Sequence, residues 1–172
     1  MKPEYEADYR EFVAVHLHKL GRFAYLLCHD WHRAEDAVQQ ALLKAYLRWH
    51  KTDIQSPEAY VRRIIAHVLI DEGKRQWFKR ERSSDTVPDI VVPDPTSGKA
   101  ERLTILDALT RLPKRQRLAV VLRHWEDLSV EQTAEIMNCS PGNVKSQTAH
   151  GLKSLRALLQ NQPQAQTTGA SR

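Results

Sequence analysis

Between Ser140 and Leu159 the chain reads SPGNVKSQTAHGLKSLRALL, a stretch without an acidic residue. At about 100° per residue, Val144, Thr148, Leu152 and Leu155 fall on one helical face. Gly142, Asn143, Ser146, Ala149, His150 and Lys153 fall on the opposite one, with Lys145 and Arg156 on its flank. The outward chemistry suits DNA. Small side chains let a helix sink into a major groove, Asn, Ser and His can hydrogen-bond base edges, and Lys and Arg neutralise phosphates. An amphipathic helix with a solvated polar face has the same period. It has no need to exclude acids or to favour small residues.

Bond-making chemistry finds little support. His16, His18, His29, His32, His50, His67, His124 and His150 form no arrangement with a nearby nucleophile. Cys28, His29 and His32 could be imagined as metal ligands, but no second pair has zinc spacing. There is no glycine-rich phosphate loop. The expectation is a protein that is not an enzyme and needs no cofactor or metal.

The elements that would hold the reading face are legible just upstream. Ser129 followed by Gln132 is a capping box, opening a short helix through Met137 with Thr133, Ala134, Ile136 and Met137 inward. Asn138-Cys139-Ser140 is a turn in which Asn tolerates a left-handed backbone. Ser140 then caps a second helix with Pro141 in its first position. Two helices joined so tightly are a helix-turn-helix, and the second is its recognition helix.

The whole chain has 172 residues and a formal charge of +5, enough for one medium or two small domains and favouring a polyanionic partner. Low glycine and helical apolar periods give an all-α fold class. No apolar run is long enough to span a bilayer, and no signal peptide is seen. Cys28 and Cys139 read as reduced thiols, and the expected compartment is the cytoplasm.

From the start, Tyr5–Cys28 reads as a helix with Phe12, Val13, Val15, Leu17, Leu20, Phe23, Ala24 and Leu27 apolar, and Gly21 as a point of bending. His29 to His32 reads as a connector. Arg33–Trp49 is a strong helix with Ala34, Val38, Ala41, Leu42, Ala45 and Trp49 inward. Its other face groups Asp36, Gln40, Leu43 and Leu47. Two leucines beside an acid and an amide suit a protein-docking surface, unless the helix is buried on two sides in a bundle.

Ser56-Pro57-Glu58 opens a helix to about Arg80, with Val61, Ile64, Ile65, Val68 and Glu72 inward and Leu69 beside them. Arg63, His67, Ile70, Lys74 and Trp77 share its outer side. Lys74, Arg75, Lys79, Arg80 and Arg82 surround Trp77-Phe78, a mixture suited to phosphates and bases. Ser83–Lys99 carries three prolines and three aspartates and reads as an acidic linker. Ala100–Arg111 (Leu103, Leu106 and Leu109 inward) and Lys114–Trp125 read as helices, leaving Arg115, Arg117 and Arg123 for phosphates. Residues 161–172 read as a disordered tail.

Three of these stretches, in order, resemble bacterial sigma factors of the extracytoplasmic-function group of the sigma-70 family, close to the actinobacterial SigE-like subgroup. AEDAVQQALLKAYLRW (Ala34–Trp49) resembles the helix that docks on the polymerase clamp. SPEAYVRRIIAHVLIDEGKR (Ser56–Arg75) resembles the −10 recognition and melting segment. LTRLPKRQRLAVVLRHWEDLSVEQTAEIMNCSPGNVKSQTAHGL (Leu109–Leu152) resembles the −35-binding region.

The resemblance implies core RNA polymerase and promoter DNA as partners, with an anti-sigma factor as a further candidate. It implies a region 2-like domain over 1–82, a linker over 83–99 that threads near the polymerase active-site and RNA-exit channels, and a region 4-like domain over 100–160. Polymerase docking falls to Asp36, Gln40, Leu43 and Leu47. The −10 element falls to the loop Lys51–Ser56 and to Arg63, His67, Lys74, Arg75, Trp77 and Lys79. The −35 element falls to Arg115, Asn143, Lys145, Ser146, Gln147, His150 and Lys153. The chain departs from the family pattern at Ala66-His67, commonly Arg-Asn, at Asn138, commonly Gly, and at Gln147 and His150, often arginines. Two other classes compete: a free-standing helix-turn-helix regulator, which needs no docking face, and a sigma-like mimic that binds only an anti-sigma protein.

Overall fold

The computed structural model describes residues 3–51, 54–82 and 104–161, with the side chains of 71–82 excluded. Among them there are helices and no strand: α1 (Pro3–Cys28), α2 (Trp31–Arg48), α3 (Pro57–Arg82), α4 (Ile105–Thr110), α5 (Lys114–Val120) continued by a π-helical turn (Val121–Trp125), α6 (Val130–Met137) and α7 (Pro141–Gln160).

Helices α1, α2 and α3 pack on one another. Leu20, Phe23, Ala24 and Leu27 of α1 meet Ala34, Ala37, Val38, Ala41, Leu42 and Ala45 of α2, with Val61, Ile65 and Leu69 of α3 beneath. The four alanines on one face of α2 keep its neighbours close. Each fully buried Phe, Leu or Ile here contributes about 1.5–3 kcal/mol. In the second helical group, α4 to α7, Leu109, Leu118, Val120, Leu122, Ile136, Met137, Val144 and Leu155 are buried and continue the cluster of the first.

Several boundaries differ from the sequence expectation for local reasons. Helix α2 begins at Trp31, not Arg33, because the Asp30 carboxylate accepts a hydrogen bond from Arg33 N at 3.2 Å and caps it. His29, at φ 55°, closes α1 with its N–H on Tyr25 O at 2.7 Å. Gly21 does not break α1, which runs continuously through it. Of the apolar residues of α1, Val15 and Leu17 are 67% and 48% exposed, while Tyr9, Phe12, Val13, Leu20, Phe23, Ala24 and Leu27 pack on the core. Leu106 is also exposed, while Leu109 is buried. Thr104 caps α4 in a capping box with Asp107, a short helix in place of one starting near Ala100. Leu103 and the 83–99 linker lie outside the described residues, as do residues 162–172.

The expected Lys114–Trp125 helix widens after Val120, where Glu126 N bonds to Val121 O at 3.0 Å. The two helical groups touch where α3 meets α6 and where α1 meets α4, α5 and the π-helical turn.

Candidate nucleic-acid interface

The helix-turn-helix forms as its capping residues dictate. Gln132 N donates to Ser129 Oγ at 3.0 Å, and Ser129 N donates to Gln132 Oε1 at 2.9 Å. Asn138 stands at φ 51°, ψ 53°, left-handed, and Cys139 N reaches back to Ala134 O at 3.1 Å. An asparagine holds this conformation more readily than other residues with a Cβ. Ser140 Oγ accepts from Asn143 N at 3.1 Å and starts α7 at Pro141. Thr133, Ala134, Ile136 and Met137 are all buried.

Along α7, Val144, Thr148 and Leu155 are buried, with Thr148 Oγ1 donating to Val144 O. Leu152 is half-buried. Asn143, Lys145, Ser146, His150, Lys153 and Arg156 are exposed and Gln147 is half-buried, so one solvent-facing surface carries them. Gly151, on the inner face, matters more than the sequence suggested. A Cβ there would lie 2.6 Å from Val120 Cγ2 and 3.1 Å from Gln116 O. The α7 backbone therefore packs directly on the Val120 side chain and the Gln116 carbonyl of α5.

Of the arginines expected on phosphates, two are otherwise engaged. Arg117 donates through Nε to Leu109 O at 2.7 Å, through Nη2 to Thr110 O and Leu112 O, and through Nη1 to Leu27 O of α1. These carbonyl contacts make it a cationic cap that is not free for DNA, and burial lowers its pKa below the usual arginine value. Arg123 donates to Leu128 O, closing the chain after the π-helical turn. Arg115 stays exposed with one guanidinium nitrogen 3.3 Å from Met137 O, at the edge of the helix-turn-helix.

On α2, Asp36, Gln40, Leu43 and Leu47 are all exposed, the leucines at 59% and 57%. The helix beneath them is held by aromatics. Tyr9 packs edge-on to Tyr46 and Trp49 with ring centroids 5.1 and 5.2 Å apart, and its hydroxyl donates to Leu42 O at 3.0 Å. Burial, then Tyr46, raises the Tyr9 pKa above 10.0. On α3, Arg63 is exposed and His67 half-buried. The side chains of Lys74, Arg75, Trp77 and Lys79 lie outside the described residues.

Sequence reasoning missed Arg62, which is 4% exposed and donates to Glu58 at 2.6 Å and to Glu126. The Glu58–Arg62 spacing is an i,i+4 ion pair that could have been read. Glu126 is distant in sequence and could not. Burial raises the Glu58 pKa, but Arg62, Lys19 and His16 together outweigh it and hold the carboxyl below 4.5. Among the described residues no group of three or more His, Cys, Asp or Glu is placed to hold a metal ion. None of the described helices is long and apolar enough to cross a membrane.

By fold and surface this is a helix-turn-helix DNA-binding protein with a second helical domain. Residues 12–79 match the sigma-70 region 2 family, and residues 102–155 match sigma-70, region 4. The chain is 36% identical to the RNA polymerase sigma-E factor of Streptomyces avermitilis, over 90% of this chain and 86% of that one. It is 29% identical to the ECF RNA polymerase sigma factor SigL of Mycobacterium tuberculosis, over 90% and 88%. The solved structure of the sigma factor RpoE in complex with the anti-sigma factor NepR, from Bartonella quintana, superposes with a TM-score of 0.73 at 25% identity. That match covers 91% of this chain and 99% of that one. The chain belongs to the extracytoplasmic-function group of the sigma-70 family, close to its SigE-like members. It is a non-enzymatic initiation factor that recognises promoters.

Proposed function

We propose a division of labour along the chain. Residues 1–82 dock on core RNA polymerase through Asp36, Gln40, Leu43 and Leu47. They also act on the −10 element through Arg63, His67, Lys74, Arg75, Trp77 and Lys79. Residues 83–99 link this part to residues 100–160, which read the −35 element, and residues 161–172 form a tail outside both. The observation that carries this reading is the outward face of α7, exposed and free of acids from Ser140 to Leu159. The exposed leucines of α2 favour a sigma factor over a free-standing regulator. The chain works in the cytoplasm, where its polymerase and promoter partners are. The anti-sigma complex of the Bartonella relative supports an anti-sigma partner here as well. Run-off transcription with core polymerase on a promoter library tests the whole. Transcripts starting a fixed distance from shared −10 and −35 motifs are expected, and absence of any selected motif would overturn it.

Within α7 the two kinds of side chain should fail differently. Lys153→Ala should weaken binding to all −35 sequences alike and flatten the log–log salt dependence by about one unit, as loss of one phosphate contact requires. Asn143→Ala or His150→Ala should instead relax preference at particular base pairs by about 1–3 kcal/mol per contact. Selection from a randomised −35 library at two salt concentrations separates these results. A motif left intact by both latter variants would move specificity away from α7.

A further inference from the structure

Arg62 of α3 and Glu126, which precedes the helix-turn-helix, form an ion pair between the two helical groups, with side chains 4% and 7% exposed. Each end is anchored in its own group. Arg62 also holds Glu58, one turn earlier, at 2.6 Å. Glu126 stands after the π-helical turn with its N–H on Val121 O, and Leu128 N closes the same loop on Leu122 O at 3.0 Å. Two further contacts bridge the groups. Arg117 Nη1 donates to Leu27 O at 2.5 Å, and His29 Nε2 lies 3.8 Å from Asp107 Oδ1. Beside them Ala66, Leu69 and Ile70 of α3 share a small cavity with Arg117 and Leu118 of α5. The central pair is not ideally satisfied, because Arg62 Nε finds no acceptor among the described residues. A buried pair with one donor unmet regains hydration when it separates, so it holds reversibly.

The contacts leave the recognition faces open but fix the distance between them. Leu43 and Leu47 on α2, Arg63 on α3, and Asn143 and Lys153 on α7 all remain exposed. By their positions, the −35 and −10 elements lie about 25 base pairs apart, about 85 Å along B-form DNA. A compact body of this size is only roughly 40 Å across. The chain between α3 and α4, residues 83–103, reaches about 70 Å at full extension, enough to make up the difference. We propose that the Arg62–Glu126 pair is an autoinhibitory clasp. Closed, it lets the free protein engage one promoter element at a time, and the two are read together only after it opens. The inference rests on the assignment of the two elements to the two helical groups and adds control over them. Polymerase can still approach the closed form, because the leucines of α2 stay exposed in it.

The test uses the full chain without polymerase, small-angle scattering and two DNA probes. One carries the −35 element as duplex and the −10 non-template strand unpaired at promoter spacing, the other the −35 duplex alone. Glu126→Lys sets a cation against Arg62 while leaving Arg62 its Glu58 partner. It should raise the radius of gyration at unchanged helicity. It should also improve binding to the two-element probe, relative to the −35 duplex, about tenfold or more, as linking two binding modules does. The added charge acts on both probes and cannot supply that ratio. Arg62→Met with Glu126→Leu replaces the pair by an apolar contact and should keep the parent's scattering and its ratio. An unchanged radius in Glu126→Lys would overturn the clasp, as would opening without a gain on the two-element probe. A parent that already prefers that probe tenfold would overturn it too. If the parent does not distinguish the −35 duplex from a scrambled one, the element assignment itself falls, and the inhibition with it.

Discussion

Leu43→Ala combined with Leu47→Ala is expected to weaken binding to core RNA polymerase at least about thirtyfold. Truncating a buried interface leucine costs about 1–3 kcal/mol, and two such losses on one face add to at least about 2 kcal/mol, or about thirtyfold. Both side chains stand mostly in solvent in the free protein, so the double variant should keep its helical signal and thermal midpoint. The aromatic packing of Tyr9, Tyr46 and Trp49 beneath α2 is untouched by either change. Titration of labelled core polymerase with the variant measures the effect. Unfolding of the variant, or unaltered affinity, would remove this face from the docking surface.

Arg62→Met should be the most destabilising single substitution proposed for this chain. It leaves the Glu126 carboxylate, 7% exposed, without its guanidinium partner, and removing one member of a buried pair costs about 3–5 kcal/mol. Adding Glu126→Leu should restore much of that loss, because an apolar pair needs no counter-charge. The penalty is also pH-dependent. The folded Glu58 pKa lies below 4.5, so the stability it contributes is present above that value and lost as pH falls through the folded value. The difference between parent and Arg62→Met should therefore narrow in acid. Thermal melts across that range measure it, and a constant difference would exclude Glu58 from the effect. Because Arg62 and Glu126 belong to different helical groups, a rise in hydrodynamic radius at unchanged melting would show that the pair secures only their mutual docking.

The parts of the fold that could be read from sequence are those set by neighbours in sequence. Ser129 with Gln132, Asn138, and Ser140 with Pro141 determine the helix-turn-helix through contacts no more than a few residues long. The exposure of Leu43 and Leu47 followed from period alone, since the alanines opposite them define the buried side. What failed depended on distant partners. Leu106, expected inward, is exposed while Leu109 is buried, which depends on which neighbouring helix lies against α4. Arg117 and Arg123 looked like phosphate ligands because their carbonyl acceptors come from chain turns whose geometry no periodicity encodes. Asp30 was legible in principle as a cap, and overlooking it displaced the start of α2 by two residues. Arg62 drew no attention in the sequence because its second partner, Glu126, comes from the other helical group.

Gly151 places the α7 backbone directly on Val120 and Gln116, so the reading helix sits in a fixed mount. Its tilt is set from behind, on the buried side of the helix. If Asn143, Ser146 and His150 read bases as proposed, they should be exchangeable one at a time, as a key is recut without changing its bow, each exchange altering one position of the preferred sequence. A side chain at position 151 would act in the opposite way, shifting the axis of α7 and disturbing every contact at once. New promoter preferences in proteins built on this frame should therefore arise by stepwise recutting of the outer face, with the mount inherited whole.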